Sequence, residues 1–314
     1  MILTSPPFRF AHTAMGTSFE VIIGGTTESY ARQTSLAVFG EIDRLESLLT
    51  RYNPCSEIGQ INLLSPGHSL NIGADVFECL ITAQRIHSET HGAFDINFAA
   101  NLEPEGKSRS GAKEKRRIER PFPIKLINNG GKFVVEFPEE GNLREEPTLN
   151  LDLGGIGKGF ALDKARDIID DWGIEQALIH GGTSTALSVG EASGADKKGM
   201  GWPVGAGNTG TNRTGRILHL KDRALSGSGC AVKGRHIFDS RAGCPACENR
   251  SVWVSHPSAA FADALSTAFM VMEPDEVEAY CRRHPEVWAL LALDFRTRKV
   301  FNDNELYWHV PTQA

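Results

Sequence analysis

Hydrophobic side chains recur every three or four positions in several parts of the chain, which is the spacing of one face of a helix. The longest such stretch runs from Glu28 to Tyr52 and is followed by Asn53-Pro54, a pair typical of a helix end. The same spacing predicts further helices over Val76 to Ile86, Lys158 to Trp172 and Ser258 to Met272. We therefore expect amphipathic helices that each bury one face.

Short runs rich in β-branched and aromatic residues predict strands elsewhere. Asn128-Asn129-Gly130-Gly131 indicates a hairpin, because its turn needs residues that tolerate positive φ. Strands are predicted at Ser18 to Ile23, Ile124 to Ile127, Lys132 to Phe137, Leu149 to Leu153 and Val287 to Leu293, and short strands with glycine-rich turns at 177–255, where 199–215 forms a loop or hairpin tip. Strands and helices do not alternate regularly as in βαβ units. The sequence therefore predicts an α+β fold with a mixed or largely antiparallel sheet flanked by helices.

Length and charge narrow the class of protein. The chain has 314 residues, and we expect a single domain over 1–314 with sub-regions of about 1–150 and 151–314. A net charge of −6 disfavours a nucleic-acid partner. Lys107 to Arg120 holds seven basic residues and almost no apolar ones. It is predicted to be a solvated loop at about 104–120, or alternatively a docking surface for an acidic partner.

We expect neither a membrane-spanning segment nor a disulfide framework in this protein. No window approaches the roughly 18 consecutive apolar residues of a membrane span, and the first residues lack the pattern of a signal peptide, so we expect a cytoplasmic protein. Six cysteines in a chain of this length are no disulfide framework. The close pair Cys244-Pro-Ala-Cys247 lacks partners at ligand spacing, which argues against a metal or redox site there.

Three segments carry candidate chemistry. Leu151 to Asp163 joins a strand to a helix through a glycine-rich turn, which is either an anion site or a tight structural turn. Asp263 and Thr267 are four residues apart on one helix face, which suits a hard cation, unless the carboxylate only complements the helix dipole. His236 and Asp239 form either a general base with its orienting carboxylate or a structural pair.

The order of several short motifs resembles that of the FAD:protein FMN transferases, the ApbE-type flavin transferase family. Each motif alone is weakly specific, but the collinear set is highly specific. The resemblance is carried by Ala14-Met15-Gly16-Thr17, Arg51 to Glu57, Gly92-Ala93-Phe94-Asp95, Leu151 to Asp163, Gly181-Gly182, Leu225 to Gly229, His236 to Asp239 and Ala262 to Ala268. The chain departs from the family pattern at Thr183, where Asp is common, and at Ser240 to Gly243.

The resemblance implies a reaction and a set of residues. Such proteins bind FAD and Mg²⁺ in a cleft, here between the two sub-regions, release AMP and attach FMN to a Thr or Ser of a target protein. By position, the implied flavin-nucleotide contacts are Met15, Tyr52, Ala93, Phe94, Asp95, Asp152, Lys158 and Ile237, and the implied metal shell is Gly155, through its carbonyl, with Asp263, Ser266 and Thr267.

The implied catalytic groups are His236 as the base for the incoming hydroxyl, Asp239 as its orienting partner and Lys158 as an electrostatic aid. The helix that begins near Ser258 is expected to aim its positive end at the same phosphates.

Two further functions stay open at this point. With water as the nucleophile, the same site would be an FAD pyrophosphatase that gives FMN and AMP. Without turnover, the chain would be an FAD-binding protein, which the departures at Thr183 and Ser240 leave open. The presence of Asp263, Thr267 and His236 favours an enzyme over this last class.

Overall fold

A long antiparallel sheet with helices on one face is the framework of the computed structural model. The structure describes residues 6–98, 120–139, 148–192, 201–206, 216–229, 237–246, 250–294, 297–303 and 307–309. The helices are α1 (Glu28–Leu49), α2 (Glu57–Asn62), α3 (Ala74–Glu89), α4 (Gly157–Asp171), α5 (Ala259–Phe269) and α6 (Pro274–Arg283). Among them, none combines the length and hydropathy that a membrane crossing requires.

The strands group into one large sheet and smaller ones. The first strands are β1 (Phe8–Ala14), β2 (Thr17–Ile23), β3 (Ser69–Ile72), β4 (Lys125–Asn129), β5 (Lys132–Glu136), β6 (Ala177–Gly181), β7 (Thr185–Val189) and β8 (Trp202–Ala206). The later strands are β9 (Arg216–Leu220), β10 (Ala224–Gly229), β11 (Phe238–Asp239), β12 (Cys244–Pro245), β13 (Ser251–His256), β14 (Trp288–Ala292), β15 (Arg298–Phe301) and β16 (Tyr307–His309). The large sheet has the order β1-β2-β6-β7-β10-β13-β14-β15.

The large sheet is covered on both faces, as the alternation along β2 demands. Val21 points into a core shared with the helices, and its neighbour Ile22 points into a second core on the other face. That second core is closed by the small sheet β16-β9-β8, which contributes Trp202 and Leu218 against Trp288 of the large sheet. The predicted α+β architecture is confirmed, and the described strand pairs are antiparallel.

Some predicted elements differ from the structure. The first helix ends at Leu49 because Thr50 is extended, and the predicted loop at 199–215 contains strand β8 before the undescribed residues 207–215. The sequence analysis missed β1, β3 and α6. The missed β1 joins β2 through a two-residue turn at Met15 and Gly16, both with positive φ, as the favoured hairpin turns require.

The strand predicted at Leu149 to Leu153 is wrong. Its backbone pairs with side chains and with the Ile96 carbonyl, to which Asp152 N–H donates at 2.7 Å, rather than with a neighbouring strand. Asn150 N–H donates to Asn97 Oδ1 at 2.7 Å, and Leu151 exchanges hydrogen bonds with the Asn62 amide at 2.7 and 3.1 Å. The basic loop predicted at about 104–120 lies outside the described residues except for Arg120.

Helices α4 and α5 pack so closely that one position admits only glycine. A Cβ built on Gly159 would lie 2.2 Å from the carbonyl oxygen of Ala259, far inside van der Waals contact. Gly157, two residues earlier on α4, has no such neighbour, since its Cβ would meet Leu153 Cβ at 3.9 Å. The distance between the two helices is therefore set at Gly159.

The substitution Gly159→Ala is expected to lower the free energy of unfolding by about 1–3 kcal/mol, because the new methyl group must push α4 and α5 apart. The matched variant Gly157→Ala places the same methyl group in ordinary contact and is expected to leave stability nearly unchanged. Urea unfolding monitored by circular dichroism compares the two midpoints. Equal midpoints would show that the close contact does not constrain the packing.

His256, at the end of β13, supports the start of α5 in its neutral form. Its Nδ1 accepts a hydrogen bond from Ser258 N–H at 2.9 Å, and its ring stacks on Phe261 with centroids 4.8 Å apart. Burial disfavours the charged imidazolium and lowers the pKa of His256 from 6.5 to about 4. A histidine with a depressed folded pKa binds fewer protons in the folded state than in the unfolded one, so acid favours unfolding.

The stability that neutral His256 provides is expected to be complete above pH 6.5 and to be lost as the pH falls towards about 4. The total loss is on the order of 3 kcal/mol. His256→Asn keeps an acceptor for Ser258 but cannot be protonated, so the fall in stability between these pH values should be shallower in this variant. Thermal unfolding across the pH range, with His68→Gln as an exposed control, measures the difference. Parallel curves for wild type and His256→Asn would contradict the assignment.

Candidate functional site

A cleft of about 1090 Å³ lies between one part of the large sheet and the helices and loops that pack near it. Its walls are the β1–β2 turn, the segments after α1 and α3, the glycine turn before α4, one side of α5 and the ends of β10 and β13. Every residue predicted to contact a flavin nucleotide lines this cleft, although they come from distant parts of the sequence: Met15, Tyr52, Ala93, Phe94, Asp95, Asp152, Lys158 and Ile237.

The glycine turn before α4 forms the floor of the cleft. A Cβ on Gly155 would lie 3.3 Å from both the Phe94 ring and Thr267 Oγ1, so the absent side chain lets these groups converge. Asp152 Oδ1 accepts from Gly154 N–H at 2.8 Å, and Asp152 Oδ2 lies 3.5 Å from Arg51 Nε. Asp152 therefore fixes the turn that it precedes and remains part of the cleft wall.

Asp95 and Tyr52 differ in how firmly they are held. Asp95 Oδ1 accepts from Asn97 N–H at 2.8 Å, an Asx turn that orients its carboxylate at the cleft wall. Tyr52 is 84% exposed, and its ring lies 5.1 Å from the Arg51 guanidinium carbon. An aromatic face is thus presented at the cleft with a cation against it.

Asp263 is the buried carboxylate of the cleft, and both of its oxygens have donors. Its Oδ2 accepts from Lys158 Nζ at 3.3 Å and from Gly159 N–H at 3.2 Å, near the start of α4. Its Oδ1 lies 3.3 Å from Thr185 Oγ1 and 3.1 Å from Ser226 Oγ. Lys158 Nζ also donates to the Gly154 carbonyl at 3.0 Å, so the ammonium joins α5 to the glycine turn.

The other candidate metal ligands do not all face the cleft. Thr267 and Gly155 line the cleft with Asp263. Ser266 does not line it, and its hydroxyl lies 2.8 Å from that of Ser228 on β10. Ser266 also donates to the Asp263 carbonyl at 2.9 Å. Among the described residues, no group of three or more His, Cys, Asp or Glu side chains is placed to hold a metal ion.

The expectation that the start of α5 faces the phosphates is wrong. Its first amide groups, Ala259 N–H and Ala260 N–H, donate to the Asp163 carboxylate at 2.6 and 2.9 Å, and Ser258 Oγ donates to it at 2.6 Å. A side chain of α4 therefore already satisfies the positive end of α5. Burial raises the pKa of the Asp163 carboxyl. The start of α4, with Gly157 and Lys158, lines the cleft instead.

The predicted catalytic pair is described only in part, because His236 lies outside the described residues. Asp239 is buried, and its Oδ1 accepts from Arg241 N–H at 3.0 Å and Arg241 Nε at 3.3 Å. It does not line the cleft, whereas the adjacent Phe238 does.

Cys247, the second cysteine of the predicted close pair, also lies outside the described residues.

Sequence reasoning missed several parts of the cleft wall, among them Arg51 and Trp253. Arg51 precedes the predicted Tyr52 directly and could have been found from that position. Trp253 lies opposite Gly227 in the β10–β13 pair, where a Cβ on the glycine would come within 2.9 Å of the indole. Only the register of the two strands brings this glycine and this tryptophan together. Thr183, one of the departures from the family pattern, also lines the cleft.

Comparisons of the sequence and of the fold with known proteins both find flavin transferases. The chain is 23% identical over 295 residues to an FAD:protein FMN transferase of Klebsiella pneumoniae (strain 342), covering 85% of this chain and 79% of that protein. It is 25% identical over 286 residues to the enzyme of the same name from Chlamydia pneumoniae, covering 84% of each. The fold matches the flavin transferase ApbE from Vibrio cholerae with a TM-score of 0.73 at 20% identity, covering 94% of this chain and 98% of that one.

The family match extends over most of the chain and includes the cleft. The model of the ApbE family matches residues 15–291, from the turn between β1 and β2 to β14. The resemblance inferred from the motifs is confirmed, and this protein belongs to the ApbE family.

Proposed function

We propose that this protein transfers FMN from FAD to a Ser or Thr hydroxyl of a target protein, with Mg²⁺ and with release of AMP. The family membership and the name shared by its curated relatives make it a transferase. The observation that carries the finer proposal is the lining of one cleft, where the eight candidate flavin contacts meet Gly155, Asp263 and Thr267. At about 1090 Å³, the cleft is at the upper end of the roughly 300–1000 Å³ typical of small-ligand pockets and has room for a large ligand.

The oxygens around Lys158 suit a hard cation. Its ammonium lies 3.0 Å from the Gly154 carbonyl and 3.3 Å from Asp263 Oδ2, so a positive group already stands between them. Thr267 adds a hydroxyl beside Gly155. One carboxylate together with neutral oxygens and substrate phosphate is a ligand set that Mg²⁺ accepts. We infer that Asp263, Thr267 and the Gly155 carbonyl hold Mg²⁺. Ser266 does not contact the ion but supports Asp263 through a hydrogen bond to its backbone carbonyl.

The proposed transfer exchanges the phosphoanhydride bond of FAD for a phosphoester bond to the acceptor. The acceptor oxygen bonds to the phosphorus of the FMN half, and the bond from that phosphorus to the AMP oxygen breaks. AMP leaves with the electron pair, and the acceptor proton passes to a base. Bound Mg²⁺ would supply charge neutralisation at the pyrophosphate. Lys158 would add a second positive charge there, and the base predicted from the sequence is His236.

Incubation of the purified protein with FAD, Mg²⁺ and a lysate or a pool of Ser- and Thr-containing peptides is expected to give AMP and covalently bound flavin in equal amounts. Both products should disappear when EDTA removes the divalent cation. AMP is measured by chromatography, and bound flavin by its fluorescence after denaturation. AMP accompanied only by free FMN would indicate a pyrophosphatase, and FAD binding without AMP would indicate a binding protein.

The substitution Asp263→Asn is expected to reduce Mg²⁺-dependent AMP release by at least about 100-fold, because it removes the carboxylate charge of the proposed site. Asp170→Asn, on the exposed side of α4, is the control for a lost carboxylate elsewhere and should retain the wild-type rate. Rates are compared at saturating FAD over a range of Mg²⁺ concentrations. Wild-type AMP release by Asp263→Asn would exclude this residue as a metal ligand.

A further inference from the structure

The two oxygens of Asp263 face different surroundings. Oδ2 lies on the cleft side, near the ammonium of Lys158 and the start of α4. Oδ1 is directed at the large sheet, where it meets the hydroxyls of Thr185 and Ser226 at 3.3 and 3.1 Å. Neither hydroxyl residue lines the cleft, and both are buried, at 2% and 0% exposure.

The two hydroxyls form one unit that the sheet register creates. Thr185 on β7 and Ser226 on β10 are direct cross-strand partners, and their hydroxyl oxygens lie 3.0 Å apart. Each hydroxyl has a single hydrogen to donate. Both hydroxyls can donate to Oδ1, or one can donate to the other hydroxyl, which then donates to Oδ1. In either case Oδ1 accepts at least one hydrogen bond, because an ionised carboxylate only accepts. Ser266 Oγ adds a third hydroxyl 3.5 Å from Ser226 Oγ.

This arrangement leaves one carboxylate oxygen for a cation that enters from the cleft. Because Oδ1 already faces the two buried hydroxyls of Thr185 and Ser226, a cation that enters from the cleft meets Oδ2. The number of oxygens that a carboxylate offers matters for the choice of metal. Ca²⁺ accepts both oxygens of one carboxylate in its larger, flexible shell, whereas Mg²⁺ requires a compact octahedron and keeps several water molecules.

We propose that Thr185 and Ser226 are positioning residues that make Asp263 a one-oxygen ligand and thereby set a preference for Mg²⁺ over Ca²⁺. The proposal rests on the metal site proposed above. Removing the two hydroxyls frees Oδ1 and allows the carboxylate to rotate towards two-oxygen binding. Binding of Mg²⁺ should then weaken, while binding of Ca²⁺ should be maintained or strengthened.

The test is calorimetric titration of the whole chain, saturated with FAD and without an acceptor, with MgCl₂ and separately with CaCl₂. In the double variant Thr185→Val, Ser226→Ala, the ratio of the two dissociation constants is expected to move towards Ca²⁺ by about tenfold or more, as for other groups that orient metal ligands. The matched control is Thr34→Val, because the Thr34 hydroxyl is equally buried but donates only to the α1 carbonyl of Tyr30 at 3.0 Å.

Two further variants separate positioning from packing. Thr185→Ser retains the hydroxyl without the methyl group and should keep the wild-type ratio, and Ser226→Ala alone should shift the ratio even if the double variant folds poorly. Equal weakening of Mg²⁺ and Ca²⁺, or an unchanged ratio, would overturn the positioning role while leaving the metal site in place. If the wild type binds neither ion, or if Asp263→Asn binds both as the wild type does, the metal site itself fails, and this proposal with it.

Discussion

The contact between α4 and α5 is the constraint on which the cleft depends. Each helix supplies a carboxylate to the first turn of the other: Asp163 of α4 accepts from the start of α5, and Asp263 of α5 accepts from Gly159 N–H of α4. This exchange places two helix starts next to each other and gives acceptors to the amide groups of Gly159, Ala259 and Ala260. It works only because Gly159 lets the backbones touch.

The surroundings of Asp263 also explain how its carboxylate can be buried. A carboxylate at 4% exposure is costly unless charged or polar donors surround it. The Lys158 ammonium, a helix amide and two sheet hydroxyls provide those donors from three separate elements. These donors surround the carboxylate before any ligand enters, and only the Lys158 side is shared with the cleft.

What the sequence could predict depended on how local the determining contacts are. The β4–β5 hairpin follows from Asn128 to Gly131, and the face shared by Asp263 and Thr267 follows from helical spacing alone. The pairing of Thr185 with Ser226 required the strand register, which no local pattern contains. The start of α5 was misjudged because its partner, Asp163, lies 95 residues from Ser258. Leu149 to Leu153 looked like a strand because alternation cannot reveal whether a strand or side-chain amides satisfy the backbone.

The amides that hold Leu149 to Leu153 have a consequence for how the protein folds. Asn97 and Asn62 reach this segment across 53 and 89 residues of chain, and no neighbouring strand of the described structure templates it. Closing such long loops costs entropy before the contacts repay it. We expect this segment and the glycine turn that follows it to acquire their shape late, after α2 has docked. During refolding, the backbone amides of the large sheet would then become protected from hydrogen exchange first. Those of Leu149 to Leu153 and of the glycine turn would become protected last.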